Sequence, residues 1–318
     1  MDVLIFNKVC LYDVLNNQTI LYGQYKNTFE SIHIDTEQEY SVVLSEDRSD
    51  FYVRIKGKVD FLQKLVYNHT YNLCDITLIF PFENCDIVLS PTSAIISTFC
   101  KDYSHRLDEW IQYNLKLGFS GIIIFNNDSN QSNTINEPME HCIHRNSISD
   151  ICNKYKTKVW MVDIPYSHLP GGYYDSIQRI ALSIGVNAFR TKCSHIALID
   201  ADEFIHIPSS SENPNIEEFL KGRETITMRS NILTNKNNDD QIDNNVLKLA
   251  KYVGEDKYTK TILCTNKIKE YEFIFNPHEH HTQTILDKNE IIHYHCWINN
   301  RYHYWDGMQE IDFLQNFI

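Results

Sequence analysis

Basic residues are in short supply: 29 Lys and Arg stand against 42 Asp and Glu, a formal charge of −13 in a chain of 318 residues. A surface of that sign repels phosphate backbones at long range, so a nucleic-acid partner is not expected, and any phosphorylated ligand has to be met by a local cation. Cysteine pairs are lacking too. The nine cysteines, at 10, 74, 85, 100, 142, 152, 193, 264 and 296, include no CxxC and no zinc spacing, and their odd number suits reduced thiols rather than a disulfide framework. No apolar run approaches the roughly 18 to 20 residues that a membrane span needs. The opening stretch, Met1-Asp2-Val3-Leu4-Ile5-Phe6-Asn7-Lys8, has neither a basic n-region nor a long h-region, so the expectation is a soluble, cytoplasmic chain without a cleaved signal. Ten glycines and eight prolines are too few for a collagen-like or low-complexity chain. What is present, 42% hydrophobic and 22% charged residues, can bury a sizeable core in one large domain or two small ones.

Residues 1–90 read as short β segments at 3–6, 19–22, 40–44, 51–55, 75–80 and 85–89, separated by Asn, Asp and Gly turns. This is the pattern of a small β-rich domain with no catalytic cluster, suited to scaffolding. From 91 to 318 the pattern changes. Apolar strands at 94–99, 120–125, 159–164 and 196–199 alternate with helical spacing at 103–117, 145–156 and 174–188, which predicts a mostly parallel sheet covered by helices on both faces. Ligands of such sheets sit beyond the carboxyl ends of the strands, where Lys101-Asp102, Asn126-Asn127-Asp128 and Asp200-Ala201-Asp202 fall. Farther on come a short helix at 216–221, strands at 224–229, 260–264 and 271–276, and an Asn/Asp-rich loop at 235–245.

The sharpest chemical feature is His195-Ile196-Ala197-Leu198-Ile199-Asp200-Ala201-Asp202-Glu203-Phe204. An apolar strand here delivers two carboxylates, one residue apart, to its end, and a hard divalent cation wants oxygen ligands converging in this way. Acids clustered at a buried strand end are costly unless a cation or hydrogen-bond donors satisfy them. The plain alternative is that Asp200 caps the following turn and its neighbours are solvated.

Four segments in order, Phe99-Cys100-Lys101-Asp102-Tyr103, Leu107-Asp108-Glu109-Trp110-Ile111 through Leu117-Gly118, Ile123-Ile124-Phe125-Asn126-Asn127-Asp128-Ser129 and Leu198-Ile199-Asp200-Ala201-Asp202-Glu203-Phe204-Ile205, resemble the family 92 (DUF23-like) glycosyltransferases. The resemblance covers about 95–208, with fainter matches to about 300. It implies a GT-A fold, an α/β architecture with a Rossmann-like, mostly parallel sheet flanked by helices, here behind the β-rich N-terminal domain. It also implies transfer of a sugar, with inversion, from a nucleotide-sugar donor of UDP type to a glycan or glycoconjugate, with Mn2+ or Mg2+ as cofactor. By the same resemblance Asp200 and Asp202 hold the metal, Ala201 and Glu203 sit beside it, and Lys101, Asp102, Asn127 and Asp128 line the nucleotide pocket. Gln178 and Arg106 are further donor-site candidates, although Arg106 with Glu109 also reads as an ordinary helix-surface pair. A late histidine is expected as a third metal ligand, with His278 first and His281 and His293 behind it.

Inverting transfer needs a carboxylate to take the acceptor proton and positive charge for the leaving diphosphate. Asp256, then Glu255, are the candidate bases; Glu-Asp before a lysine is also an ordinary solvated turn. Lys260 or Arg229 can add charge at the leaving group. Trp297 and Trp305 are the candidate acceptor contacts, since flat rings with a polar edge pack against sugar faces. Two other readings use the same residues: a His/Asp metallohydrolase built on Asp200, Asp202 and the late histidines, and a glycan-binding protein without turnover.

Overall fold

The computed structural model describes residues 3–13, 16–25, 33–34, 37–45, 50–58, 65–67, 69–71, 78–79, 88–101, 104–127, 147–164, 176–208, 214–234, 252–274, 276–278, 280, 283–296 and 308–310. Strand predominates over helix among them. The N-terminal strands are β1 (Val3–Asp13), β2 (Gln18–Tyr25), β3 (His33–Ile34), β4 (Tyr40–Leu44), β5 (Asp50–Lys56), β6 (Leu65–Tyr67), β7 (His69–Tyr71) and β8 (Leu78–Ile79). Five of them form one sheet in the order β4-β5-β2-β1-β8, antiparallel except where β8 joins β1, and β3, β6 and β7 form a separate antiparallel sheet.

The second large sheet contains β9 (Ala94–Cys100), β10 (Gly121–Asn126), β11 (Val159–Asp163), β12 (His195–Leu198), β13 (Glu203–His206), β14 (Ile226–Thr234), β15 (Tyr252–Cys264), β16 (Thr284–Ile285), β17 (Ile292–Cys296) and β18 (Gln309–Glu310). Its path runs β11-β10-β9-β12-β15-β14-β17-β13, with β16 on β14 and β18 on β15. Helices α1 (Ser104–Lys116), α2 (Ile148–Asn153) and α3 (Ser176–Phe189) connect the first strands, and α4 (Ile216–Leu220) follows β13. Buried Leu107, Trp110 and Ile111 turn one side of α1 into the core cluster that also holds α2, whereas α3 packs into a second cluster across the sheet. After α1 the chain reverses at Gly118, whose φ of +103° suits glycine, and a Cβ there would stand 2.7 Å from Asn215 Nδ2. Among the described residues no helix is long and apolar enough to cross a membrane.

The expected GT-A, Rossmann-like, mostly parallel and helix-flanked sheet is corrected by this topology. Parallel pairing joins β11, β10, β9 and β12, but β15 enters antiparallel beside β12, and β15–β14 and β17–β13 are antiparallel as well. The result is a curled mixed sheet next to a separate, largely antiparallel one. The physical reason lies beyond residue 208. There β14 and β15 pair antiparallel over a long stretch, and a register shift between Arg229 and Asn231 adds local twist. Periodicity identifies each strand but not the direction of its neighbour. The strand expected at 271–276 is also absent from the described residues of that span, and most of the one expected at 85–89 lies outside them.

Candidate functional site

Parallel β9, β10 and β12 end on one edge of the sheet, so Lys101, Asn127 and the Asp200–Asp202 turn are carried to the same edge. Asn127 is spent on structure: its backbone N–H donates to Cys100 O at 2.8 Å and its Nδ2 to Ile164 O at 2.5 Å, tying three strand ends together. Lys101 is exposed, and Arg106 is buried with no hydrogen-bond partner for Nε among the described residues.

The acidic turn is closed by its own atoms. Glu203 N donates to Asp200 O at 3.1 Å, and Asp200 N donates to Glu203 Oε2 at 2.9 Å. Ala201 is buried in the core cluster between the two aspartates, and Trp110 Nε1 on α1 holds Glu203 O at 2.7 Å. Both carboxylate oxygens of Asp200 are engaged, Oδ1 by Gln178 Nε2 at 2.8 Å and Oδ2 by Lys260 Nζ. Lys260, 1% exposed, also lies 3.1 Å from Glu203 Oε2. Burial alone would raise the Asp200 pKa, but the ammonium beside it holds the group below the usual carboxylate range. Glu203, fully buried, is pushed up to about 7 by desolvation, which Lys260 only partly offsets. For Lys260 burial opposes the charge, yet its two carboxylates keep it above the ordinary lysine range.

Asp202 faces the other way. Its Oδ2 lies 3.4 Å from His295 Nε2, and His295 Nδ1 lies 3.9 Å from Asp256 Oδ2. The pairing of β13 with β17 makes this meeting possible, since it sets Glu203 opposite His295. Burial would lower the His295 pKa, but the carboxylates of Asp202 and Asp256 beside it raise it to about 10, so the ring is an imidazolium at neutral pH. Asp256 is desolvated, which favours its neutral form, yet the His295 ring and a bond from Ser230 Oγ at 2.9 Å hold it down at about 2. Asp256 and Glu255 lie within β15 rather than on a turn. Alternation turns Asp256 inward and leaves Glu255 outside, 3.2 Å from Lys288 Nζ.

His278, the first choice for a third metal ligand, has its Nδ1 2.6 Å from Thr259 O, and its pKa is lowered by burial and then by Lys260. His293 is fully buried, with Nδ1 3.8 Å from Glu203 Oε1. His295 is therefore the histidine that Asp202 meets, a residue sequence reasoning passed over among six late histidines. Among the described residues no group of three or more His, Cys, Asp or Glu side chains converges to hold a metal ion. The side chains that meet at Asp202 are one carboxylate and one protonated imidazole, so the His295 ring could serve as a metal ligand only after losing its proton. Asp102, Asp128, His281, Trp297 and Trp305 lie outside the described residues. No protein-family model and no curated protein sequence matches this chain.

Proposed function

We propose that this chain is a glycosyltransferase, as its resemblance to family 92 implies, and that it moves a sugar from a nucleotide-sugar, of UDP type, to a hydroxyl of a glycan or glycoconjugate. The observation that carries the reading is the edge-on acidic turn. A strand of the parallel block ends in Asp200-Ala201-Asp202, Asp200 is held by Lys260 and Gln178, Asp202 stands beside His295, and both aspartates stay partly open, at 34% and 27% side-chain exposure. Mn2+ or Mg2+ held by Asp202 and His295 would neutralise charge on the leaving diphosphate. Metal binding there has to displace the His295 proton, so affinity for Mn2+ should rise with pH. Asp256 is a weak proton acceptor at a pKa of about 2, and its contacts with Ser230 and His295 give it a positioning part. Lys260 fixes the turn, and Lys101, on the same edge, adds a cation near the donor.

Thermal shift of the purified protein against UDP-, GDP-, dTDP- and CMP-sugars, with and without Mn2+, tests the reading. A ligand at a hundredfold excess over its Kd stabilises by about 2.7 kcal/mol. Stabilisation by one nucleotide class only with Mn2+, lost in Asp202→Asn with an unchanged far-UV circular dichroism spectrum, is the expected result. Equal shifts in wild type and Asp202→Asn would remove the central claim, and a shift with zinc or iron but no nucleotide would favour the metallohydrolase.

A further inference from the structure

A cavity of about 420 Å3 lies between the edge of the N-terminal sheet and segment 269–280, with Leu198, two residues before the acidic turn, in its lining. Its size falls in the range of about 300–1,000 Å3 typical of small-molecule sites. One wall is β4 and β5, through Val43, Leu44 and Tyr52; the floor is Leu198 and Leu263; the other wall is the segment itself. The lining combines two chemistries. Tyr52 and Phe273 approach with ring centroids 5.3 Å apart, and Tyr52 and Tyr271 at 5.8 Å, which makes an aromatic flank. On the same segment, between Tyr271 and Phe273, is a fixed polar group: Glu272 Oε1 lies 3.2 Å from His280 Nε2, and Glu272 Oε2 accepts from Lys269 N at 2.7 Å.

The aromatic flank is held under strain. Tyr271 has φ +56°, a left-handed conformation that non-glycine residues rarely adopt. It persists because Tyr271 Oη donates to Asp13 Oδ2 at 2.5 Å and the Arg54 guanidinium sits 5.3 Å from its ring centroid. Both restraints come from the N-terminal sheet. The segment then continues through Asn276 to His278, which bonds Thr259, the neighbour of Lys260 in β15. The cavity and the acidic turn therefore share one connecting segment.

A ligand matching these walls needs an apolar face for the rings and polar groups for Glu272 and His280, and a saccharide ring supplies both. We propose that this cavity binds a saccharide unit of the acceptor, away from the hydroxyl that reacts, and that the N-terminal sheet forms its outer wall. The proposal rests on the glycosyltransferase reading and adds the place where the acceptor is gripped.

The test is the binding of full-length, labelled protein to a printed array of oligosaccharides, in EDTA and without nucleotide, so that the donor site is silent. Retention of one group of related oligosaccharides is expected, weakened at least tenfold in Leu44→Asp and in Phe273→Ala, with the Mn2+-dependent nucleotide shift unchanged in both. Leu44 is partly exposed at the rim, so Leu44→Asp carries the test if Phe273→Ala fails to fold. No oligosaccharide retained, or full retention by both variants, overturns the proposal. Oligosaccharide binding without any nucleotide shift in the wild type would sink the transferase reading and still support this site.

Discussion

Lys260 is the residue on which the acidic turn depends. It is buried between Asp200 and Glu203, and removing one partner of a buried ion pair costs about 3–5 kcal/mol because the remaining charge is left uncompensated. Lys260→Met should lose stability on that scale in urea unfolding, and adding Asp200→Asn should restore part of it; no recovery would mean that Asp200 is not the stranded charge. His206 sets a pH dependence. It is buried on β13, and desolvation lowers its pKa from 6.5 to about 4. The unfolded chain takes up the proton first, so the contribution is fully present above pH 6.5 and is lost as pH falls through about 4. Over that window His206→Gln should show a shallower decline of unfolding free energy than wild type, and parallel curves would refute it. At this scale the position of Asp200 and Asp202 just past a strand end is legible from the sequence, since an apolar run followed by acids marks where a strand stops. His295 is not, because its selection from the late histidines depends on which strand β17 pairs with.

At the scale of elements, α3 shows how close packing is encoded. Gly185 faces the sheet, and a Cβ there would lie 2.5 Å from Ser97 Oγ on β9 and 2.9 Å from Phe125 Cε2 on β10. Alanine in a helix interior ordinarily stabilises by about 1 kcal/mol over glycine. Here the overlap should dominate, and Gly185→Ala should destabilise by about 1–3 kcal/mol. The urea midpoint should fall, and Ser97→Gly in the same chain should recover part of the loss. Periodicity located α1, α3 and the strands β9 to β12 to within a few residues, because each carries a complete apolar face. It did not reveal that Glu255 and Asp256 lie inside a strand. The 13-residue β15 opens with Tyr252-Val253-Gly254-Glu255-Asp256-Lys257, polar enough to read as a loop, and only its partners β14 and β18 make it a strand.

Across the whole molecule, the N-terminal sheet is part of the same apolar cluster as α3. Tyr22 and Tyr52 pack with Ile180 and Ile184, Tyr22 Oη accepts from Asn187 Nδ2 at 3.0 Å, and Arg179 reaches Asp50 at 3.5 Å. Tyr22 is fully buried, so Tyr22→Ala should cost about 3–5 kcal/mol. Because the cluster is shared, unfolding should remain one cooperative transition detected alike by tryptophan fluorescence and far-UV circular dichroism; two separated transitions would show that the cluster does not couple the sheets. The sequence by itself determined the local elements, the position of the paired aspartates at a strand end and the acidic balance, since all three depend on neighbours along the chain. Strand direction beyond β12, the pairing of Asp202 with His295, the burial of Lys260 and the cavity behind Tyr52 were decided only by tertiary structure. Each is a contact between segments far apart in sequence, chosen by burial and charge together, and no local pattern records that choice.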